Sequence, residues 1–129
     1  MFSSCKTTKD QGNIGVGYAI AYFTKCGFRI SIPINDSQDY DLIVDDDGLL
    51  YKVQVKTTKN KKPSGNFEVQ LRSTGGTNGS VYKRVCDTDI DLLFVLTNDG
   101  AMYNFPYEAI KNNTNTITLC EKYSQYKVT

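Results

Sequence analysis

Residues 40–57 read YDLIVDDDGLLYKVQVKT, and this stretch decides the fold. An apolar strand is predicted over Tyr40–Val44, and a turn over Asp45–Gly48, because an Asp-Gly pair is typical of tight hairpins. A second strand, Leu49–Thr57, follows directly. The two strands are therefore expected to lie side by side in one sheet.

The second strand of this hairpin places polar side chains on a single face. Side chains alternate along a strand, so Lys52, Gln54 and Lys56 share one face while valines occupy the other. Pairing of the two strands brings Asp41 to the edge where Gln54 and Lys56 lie. An acidic oxygen, an amide oxygen and an ammonium group are expected to meet there.

Working outward, the remaining segments predict an α/β domain with a mixed central sheet flanked by helices. A helix is predicted over residues 9–26, opened by a capping box from Thr8 to Gln11 and closed at Gly27. The other expected elements are strands over 28–34, 66–72, 90–96, 101–105 and 114–120, a Gly-rich loop over 73–80 and a short helix over 107–112. The apolar run 90–96 is expected to be central in the sheet.

The hairpin residues suit metal-dependent phosphodiester hydrolysis. Such a reaction needs a cation that neutralises charge and activates water, and Mg²⁺ (or Mn²⁺) prefers oxygen ligands. Asp41, the Gln54 amide and the Val55 carbonyl can supply those oxygens, and Lys56 can stabilise charge on the phosphate. The alternative on residue pattern alone is a salt bridge between Asp41 and Lys56.

Charge is distributed unevenly, although the chain as a whole carries only +1. Residues 52–84 hold eight Lys and Arg against one Glu, a net charge of +7, whereas the segments on either side each carry −3. A basic segment of this kind predicts phosphate binding, and a solvated lysine-rich loop is the alternative. The candidate DNA contacts are Lys52, Lys59, Lys61, Lys62, Arg72, Lys83 and Arg84.

Composition excludes several function classes. The chain has no histidine, so mechanisms that need a catalytic histidine are ruled out. Its four cysteines form no C-x-x-C pair and are expected to be free thiols, and Gly12, Gly15 and Gly17 have the wrong order for a dinucleotide site. We expect one domain over residues 1–129 with no membrane span, no nucleotide cofactor and a cytoplasmic location.

Several segments together resemble the PD-(D/E)xK nuclease superfamily, in particular the branch of group I intron homing endonucleases with Gln in the D/E position. The resemblance covers about residues 8–110. It rests on the segments Gly12–Gly15, Gly27-Phe28, Asp39–Val44, Gly48, Val53–Thr57, Asp91–Val95 and Tyr103–Pro106.

That resemblance implies a restriction-endonuclease-like core, Mg²⁺-dependent cleavage of double-stranded DNA and assembly into a homodimer or homotetramer. Asp41 matches the metal-binding Asp, Gln54 the D/E position and Lys56 the Lys. Tyr40 stands where the family name has Pro. The expected function is a site-specific homing or phage-type endonuclease.

One departure concerns the first helix, where such nucleases often carry a Glu just after the Gly-x-x-Gly stretch. Val16 occupies that place here, so Asp41 is left as the expected carboxylate unless Asp36 or Asp39 joins it. A DNA-binding relative with impaired catalysis is therefore an alternative function. A Holliday-junction resolvase of the same superfamily is another, and a scaffold that binds no nucleic acid is a third.

Overall fold

The computed structural model describes residues 1–35, 38–75 and 81–128. Helix α1 spans Thr8–Lys25, and strands β1 to β3 follow at Arg29–Ser31, Leu42–Asp46 and Leu49–Thr58. The next segment holds β4 (Glu68–Gln70), β5 (Arg72–Gly75), β6 (Val81–Arg84) and a 3₁₀ helix, Val85–Asp87. Then come β7 (Leu92–Thr97), β8 (Met102–Pro106), α2 (Tyr107–Ile110), β9 (Thr116–Thr118), a 3₁₀ helix at Glu121–Tyr126 and β10 (Lys127–Val128).

A six-stranded mixed sheet in the order β1-β2-β3-β7-β8-β10 forms the centre of the fold. Strands β3 and β7 are parallel, and every other neighbouring pair in this sheet is antiparallel. Two smaller antiparallel pairs, β4 with β9 and β5 with β6, lie outside it. The predicted α/β architecture with a mixed sheet and a central apolar strand is confirmed.

The sheet is buried on both faces. On the α1 side, Phe23 packs with Leu42, Val53 and Phe94, all of them 1% exposed or less. The opposite face carries a second cluster that includes Val69, Leu71, Leu93, Val95, Phe105 and Ile117. Strand β7 contributes alternate residues to both clusters, which explains its continuous apolar run.

The hairpin that decides the fold forms, but its first strand was predicted two residues too early: β2 runs over Leu42–Asp46 rather than Tyr40–Val44, and Asp41 precedes it. Asp46 pairs with Leu49, so the turn itself is Asp47-Gly48, and both residues have positive φ, 51° and 93°. This geometry matches the twist of the flanking strands and favours Gly at the second position. At the end of the ladder away from the turn, Leu42 pairs with Val53. Asp41 therefore lies immediately before the paired part of β2.

Helix α1 approaches β3 closely at Gly15. A methyl group at Gly15 would lie 2.5 Å from the Thr57 Cγ2 atom and 3.1 Å from the Val55 Cγ1 atom. Gly15 is buried, and the absence of a side chain permits this approach. No helix of the described residues is long and apolar enough to cross a membrane.

Several predicted boundaries were wrong, among them the last strand, which is limited to Thr116–Thr118 instead of 114–120. The strand expected over 28–34 is limited to Arg29–Ser31, and Ile32 and Ile34 are exposed near Pro33, which has no amide to donate to a ladder. The strand expected over 66–72 is interrupted at Leu71, whose amide donates to the Asn115 carbonyl.

The Gly-rich loop expected over 73–80 was wrong for its first part, because residues 73–75 belong to strand β5, which pairs with β6. Residues 76–80 lie outside the described residues. The part of the basic segment that runs from Arg72 to Arg84 thus contains the antiparallel strand pair β5–β6.

Candidate active site

Asp41 lies at the end of β2 and bonds to β3 through both its backbone and its side chain. Its amide donates to the Val53 carbonyl at 2.8 Å, and its Oδ2 atom accepts from the Val55 amide at 2.7 Å. Strand β2 begins at Leu42, opposite Val53, so no β2 carbonyl lies beyond that point to accept from Val55. The carboxylate takes the place that the missing strand would occupy.

Gln54 and Lys56 flank Val55 and face away from α1, as the alternation predicts. They lie opposite Leu93 and Val95 of β7, which belong to the apolar cluster on that face. The Oε1 atom of Gln54 is buried, and no donor of the described residues reaches it. A buried acceptor without a partner is costly, so this oxygen is free to take a ligand.

Burial perturbs both charged groups. It raises the pKa of Asp41, while the Val55 hydrogen bond and then the Lys56 charge act to lower it. Burial lowers the pKa of Lys56, and the charge of Asp41 opposes that change. Within the described part of the chain no ion pair joins Asp41 to Lys56, so the alternative of a plain salt bridge does not describe this site.

Asp41, Gln54 and Val55 each carry an oxygen of the kind that a hard divalent cation binds, although Gln54 does not line the cleft that contains Asp41. Asp41 has a second carboxylate oxygen beside the one bound by Val55, and Gln54 supplies its unpaired amide oxygen. The Val55 carbonyl points to the same side of β3 as the Val55 amide, since both groups of a strand residue point the same way. Carboxylate and carbonyl oxygens are the ligands that Mg²⁺ and Mn²⁺ prefer.

Val16 lies beside Asp41. Both residues line a cleft of about 270 Å³, together with Asn13, one helical turn before Val16, and Asn35. In the ranges 1–35, 38–75 and 81–128, no three acidic or sulfur side chains come together to hold a metal ion. Val16, at the position where a Glu was expected from the sequence, therefore lines the cleft that contains Asp41.

Of the two replacement carboxylates considered from the sequence, Asp39 does not join Asp41 in the described structure. Asp39 forms an ion pair with Lys83 and lines a different cleft. Asp36 lies outside the described residues.

Sequence reasoning missed the bond that anchors α1 next to this site. The Nε2 atom of Gln11 donates to the Thr57 hydroxyl at 2.9 Å, one residue after Lys56. The predicted capping box was wrong by one residue, because Thr7 caps the helix by accepting from the Asp10 amide at 3.1 Å. Gln11 was assigned to that box, and only the packing of α1 on β3 reveals its partner.

Four of the seven candidate DNA contacts are held by carboxylates. Lys52 pairs with Asp89 at 2.8 Å, Lys62 with Glu68 at 3.3 Å, Arg84 with Asp87 at 3.0 Å, and Lys83 with Asp39. These acidic partners were not predicted, and two of them, Asp89 and Asp39, are distant in sequence from the lysines they bind.

The other three candidate contacts differ in their surroundings. Lys59 is exposed, and the Lys61 ammonium lies 5.0 Å from the Phe67 ring centroid. Arg72 is exposed and lies opposite Arg84 in the β5–β6 register. The seven cations thus divide between β3 with the segment after it and the base of the β5–β6 hairpin, rather than joining Asp41 in one group.

Comparison with known proteins identifies relatives over most of the chain. The profile of a family described as PD-(D/E)XK endonuclease matches residues 6–128. Protein 5.3 of Escherichia phage T7 is 34% identical over 96 residues, which span 74% of this chain and 77% of that protein. The structure matches that of I-Ssp6803I, a bacterial homing endonuclease, with a TM-score of 0.81 and 27% identity, covering 94% of this chain and 88% of the other.

Proposed function

The chain belongs to the PD-(D/E)XK endonuclease family, and from this premise we propose that it cleaves double-stranded DNA site-specifically with a bound Mg²⁺ or Mn²⁺ ion. The resemblance noted in the sequence is confirmed at the level of family and fold. A single observation supports the assignment of the site: the Asp41–Val55 bond holds a carboxylate against β3, the strand that also carries the unpaired Gln54 oxygen and the Lys56 ammonium.

In this proposal Asp41, Gln54 and the Val55 carbonyl hold the metal ion. When bound, the ion supplies charge neutralisation and an activated water for hydrolysis. The orphaned Gln54 oxygen and the oxygen-only donor set support this choice of ligand. The carboxylate of Asp41 orients the ligand set because Val55 fixes one of its oxygens.

Lys56 has a separate role in the proposal. Its ammonium is buried next to the Asp41 carboxylate without forming an ion pair among the described residues. An ammonium in such surroundings stabilises charge that grows on the phosphate in the transition state more strongly than it would in water. It would also donate hydrogen bonds to a phosphate oxygen.

The described residues offer one such site, so cleavage of both strands needs at least two copies. We propose a homodimer or homotetramer, with a two-fold axis that places one site at each strand. The cations Lys59, Lys61, Lys62, Arg72 and Arg84 would contact backbone phosphates, and Arg72 would also read a guanine edge. Sedimentation with and without a DNA duplex measures the number of copies.

Plasmid nicking tests the function directly. Supercoiled plasmid is incubated with the full chain in Mg²⁺ or Mn²⁺, with chelator and with the Asp41→Asn form as controls. We expect nicked and linear products only with metal and intact Asp41. Cleavage that survives both controls would sink the proposed site, and preference for four-way junctions over linear duplex would select the resolvase function.

A second function is favoured by Val16. The cleft that holds Asp41 receives a valine from α1 where related nucleases often have a carboxylate, so a DNA-binding relative with impaired catalysis fits the same surface. This function predicts salt-sensitive duplex binding that is unaffected by chelator, without product in either metal. The nicking assay and a binding titration on one preparation separate the two functions.

A further inference from the structure

A second polar cleft adjoins the Asp41 site. It encloses about 270 Å³ and is lined by Lys52 and Lys83 among other residues. Tyr40 lines both this cleft and the one that contains Asp41, so the two clefts are neighbours. The Lys52 ammonium lies 5.7 Å from the Tyr40 ring centroid. The two lysines therefore line a cleft that shares Tyr40 with the cleft of the proposed active site.

Each of these lysines is already bound by a carboxylate of the chain itself. Lys52 Nζ lies 2.8 Å from Asp89 Oδ2, and Lys83 pairs with Asp39. Both acids also line the cleft, so two positive and two negative charges face each other within it. The basic segment consequently presents far less free charge here than its sequence suggests.

We propose that Asp39 and Asp89 are specificity-determining residues that occupy, in the free protein, the places of two DNA backbone phosphates on Lys83 and Lys52. This inference rests on the proposed function, because it concerns binding of DNA by the same surface. DNA must displace both carboxylates to reach the lysines. Asp39 and Asp89 therefore act as competing anions built into the chain.

The pairs are exposed enough for such an exchange. The side chains of the Lys52–Asp89 pair are 38% and 91% exposed, and those of the Lys83–Asp39 pair are 52% and 25% exposed. An exposed ion pair is weak, so replacing a carboxylate with a phosphate costs little. A carboxylate on the same chain nonetheless has a high effective concentration at the lysine. It therefore competes with the phosphates of any DNA that binds there.

Competition by Asp39 and Asp89 lowers the affinity for non-specific DNA more than the affinity for a specific site. Non-specific binding depends almost entirely on phosphate contacts, whereas a specific site adds base contacts that no carboxylate opposes. Losing part of the phosphate attraction therefore removes a larger share of non-specific affinity than of specific affinity. The two acids raise the ratio between specific and non-specific binding.

Asp39→Asn, Asp89→Asn and the double variant test the inference in the full-length chain. Binding to a labelled duplex of arbitrary sequence is measured in chelator over a series of salt concentrations. We expect each substitution to tighten binding about two- to fivefold, the range in which exposed ion pairs are measured. The slope of log affinity against log salt should steepen by up to about one for each lysine released.

Glu108→Gln is the matched control. Glu108 forms the same kind of exposed ion pair, with Lys111 at 2.5 Å, and its loss changes net charge equally. An unchanged affinity in this control supports a local effect, whereas an equal rise overturns the inference because net charge alone would explain it. Urea denaturation of all forms verifies that they fold.

Two further outcomes are decisive. A folded double variant with unchanged or weaker DNA binding, alongside an original chain that binds duplex, overturns the inference and leaves the proposed function standing. A chain that binds no duplex even at low salt overturns the proposed function itself. A purely structural role for Asp39 would lower the stability of Asp39→Asn and leave the salt slope unchanged, which also overturns the inference.

Discussion

The Oδ2 atom of Asp41 lies 2.7 Å from the amide nitrogen of Val55. This bond completes the backbone pairing of β3 beyond the start of β2, and it also fixes the direction of the carboxylate. One side chain thus serves the stability of the sheet and the proposed ligand set. Substitutions at Asp41 can separate these two roles, because Asn keeps an oxygen acceptor and Ala does not.

Asp41→Asn is expected to abolish cleavage while preserving the fold. Loss of the charge at a metal-phosphate site should lower the cleavage rate by about a hundredfold or more. Asp41→Ala leaves the Val55 amide without its acceptor and should lower the free energy of unfolding by about 1–3 kcal/mol. Plasmid cleavage and urea denaturation of both variants measure the two effects.

The difference in stability between Asp41→Asn and the original chain should depend on pH. Burial raises the pKa of Asp41 above 3.8, so the folded state holds the proton more tightly than the unfolded state. Its contribution to stability is present below pH 3.8 and is lost as pH rises through the raised pKa. As pH rises from 3.8 through the raised pKa of Asp41, the free energy of unfolding of Asp41→Asn should therefore increase relative to that of the original chain. Above that pKa the difference should stay constant. A gain that grows toward lower pH would contradict this assignment.

Lys56→Met is expected to abolish cleavage and raise stability at neutral pH. Burial lowers the pKa of Lys56 below 10.5, so the charged ammonium destabilises the folded state wherever the group remains protonated. The contribution of Lys56 is present above pH 10.5 and is lost as pH falls through the lowered pKa. The advantage of Lys56→Met should thus be complete at neutral pH and vanish toward pH 10.5.

Lys59→Met is the control for that experiment. Lys59 is exposed, and its substitution should change the free energy of unfolding by less than about 0.5 kcal/mol throughout the pH range. Urea denaturation at several pH values measures both variants. A stability loss in Lys56→Met at neutral pH would show that packing of the lysine stem outweighs the cost of its charge.

Val16→Glu is expected to strengthen metal binding. The new carboxylate would enter the cleft that contains Asp41, and a second anionic oxygen should tighten Mn²⁺ binding about tenfold or more, the size of effect that ligand shells exert. Titration calorimetry with Mn²⁺ measures the affinity, and the plasmid assay measures cleavage. Ala21→Glu, which adds a carboxylate to α1 at a different cleft, is the control. No cleavage by Val16→Glu in either metal would count against the nuclease function.

Gly15→Ala is expected to disturb the site through packing alone. The added methyl would lie 2.5 Å from Thr57 Cγ2, so α1 or Thr57 must shift, at a cost of about 1–3 kcal/mol. Gly12→Ala and Gly17→Ala meet open space within the same helix and should gain up to about 1 kcal/mol. Thermal unfolding compares the three variants. Equal stabilisation in all three would show that α1 is not closely packed at Gly15.

The hairpin and the positions of its polar residues could be predicted because their signals are local. Alternation and the Asp-Gly turn lie within eighteen consecutive residues, and they determine that Gln54 and Lys56 share a face. The strand β7 was predictable for a similar reason, since a continuous apolar run indicates burial on both faces. The shared face of Gln54 and Lys56 could therefore be predicted from local sequence, before the rest of the fold was known.

Other features depend on partners that are far away in sequence. The break at Leu71 follows from its bonds to Asn115 and Val85. The partners of Lys52 and Lys83 lie 37 and 44 positions away, so charge counting alone overstated the free positive charge. Long-range contacts of this kind leave no periodic trace in the sequence, and only the assembled sheet reveals them.

The parallel pairing of β3 with β7 has a practical consequence for engineering. The chain leaves the sheet after Thr58 and returns at Leu92, directly beside the strand it left. The β5–β6 hairpin lies within this excursion and is closed at its base by Arg72 opposite Arg84. A donor hairpin from a related enzyme could be grafted at that base, which makes the excursion a replaceable module for retargeting while Asp41 and its strand stay intact.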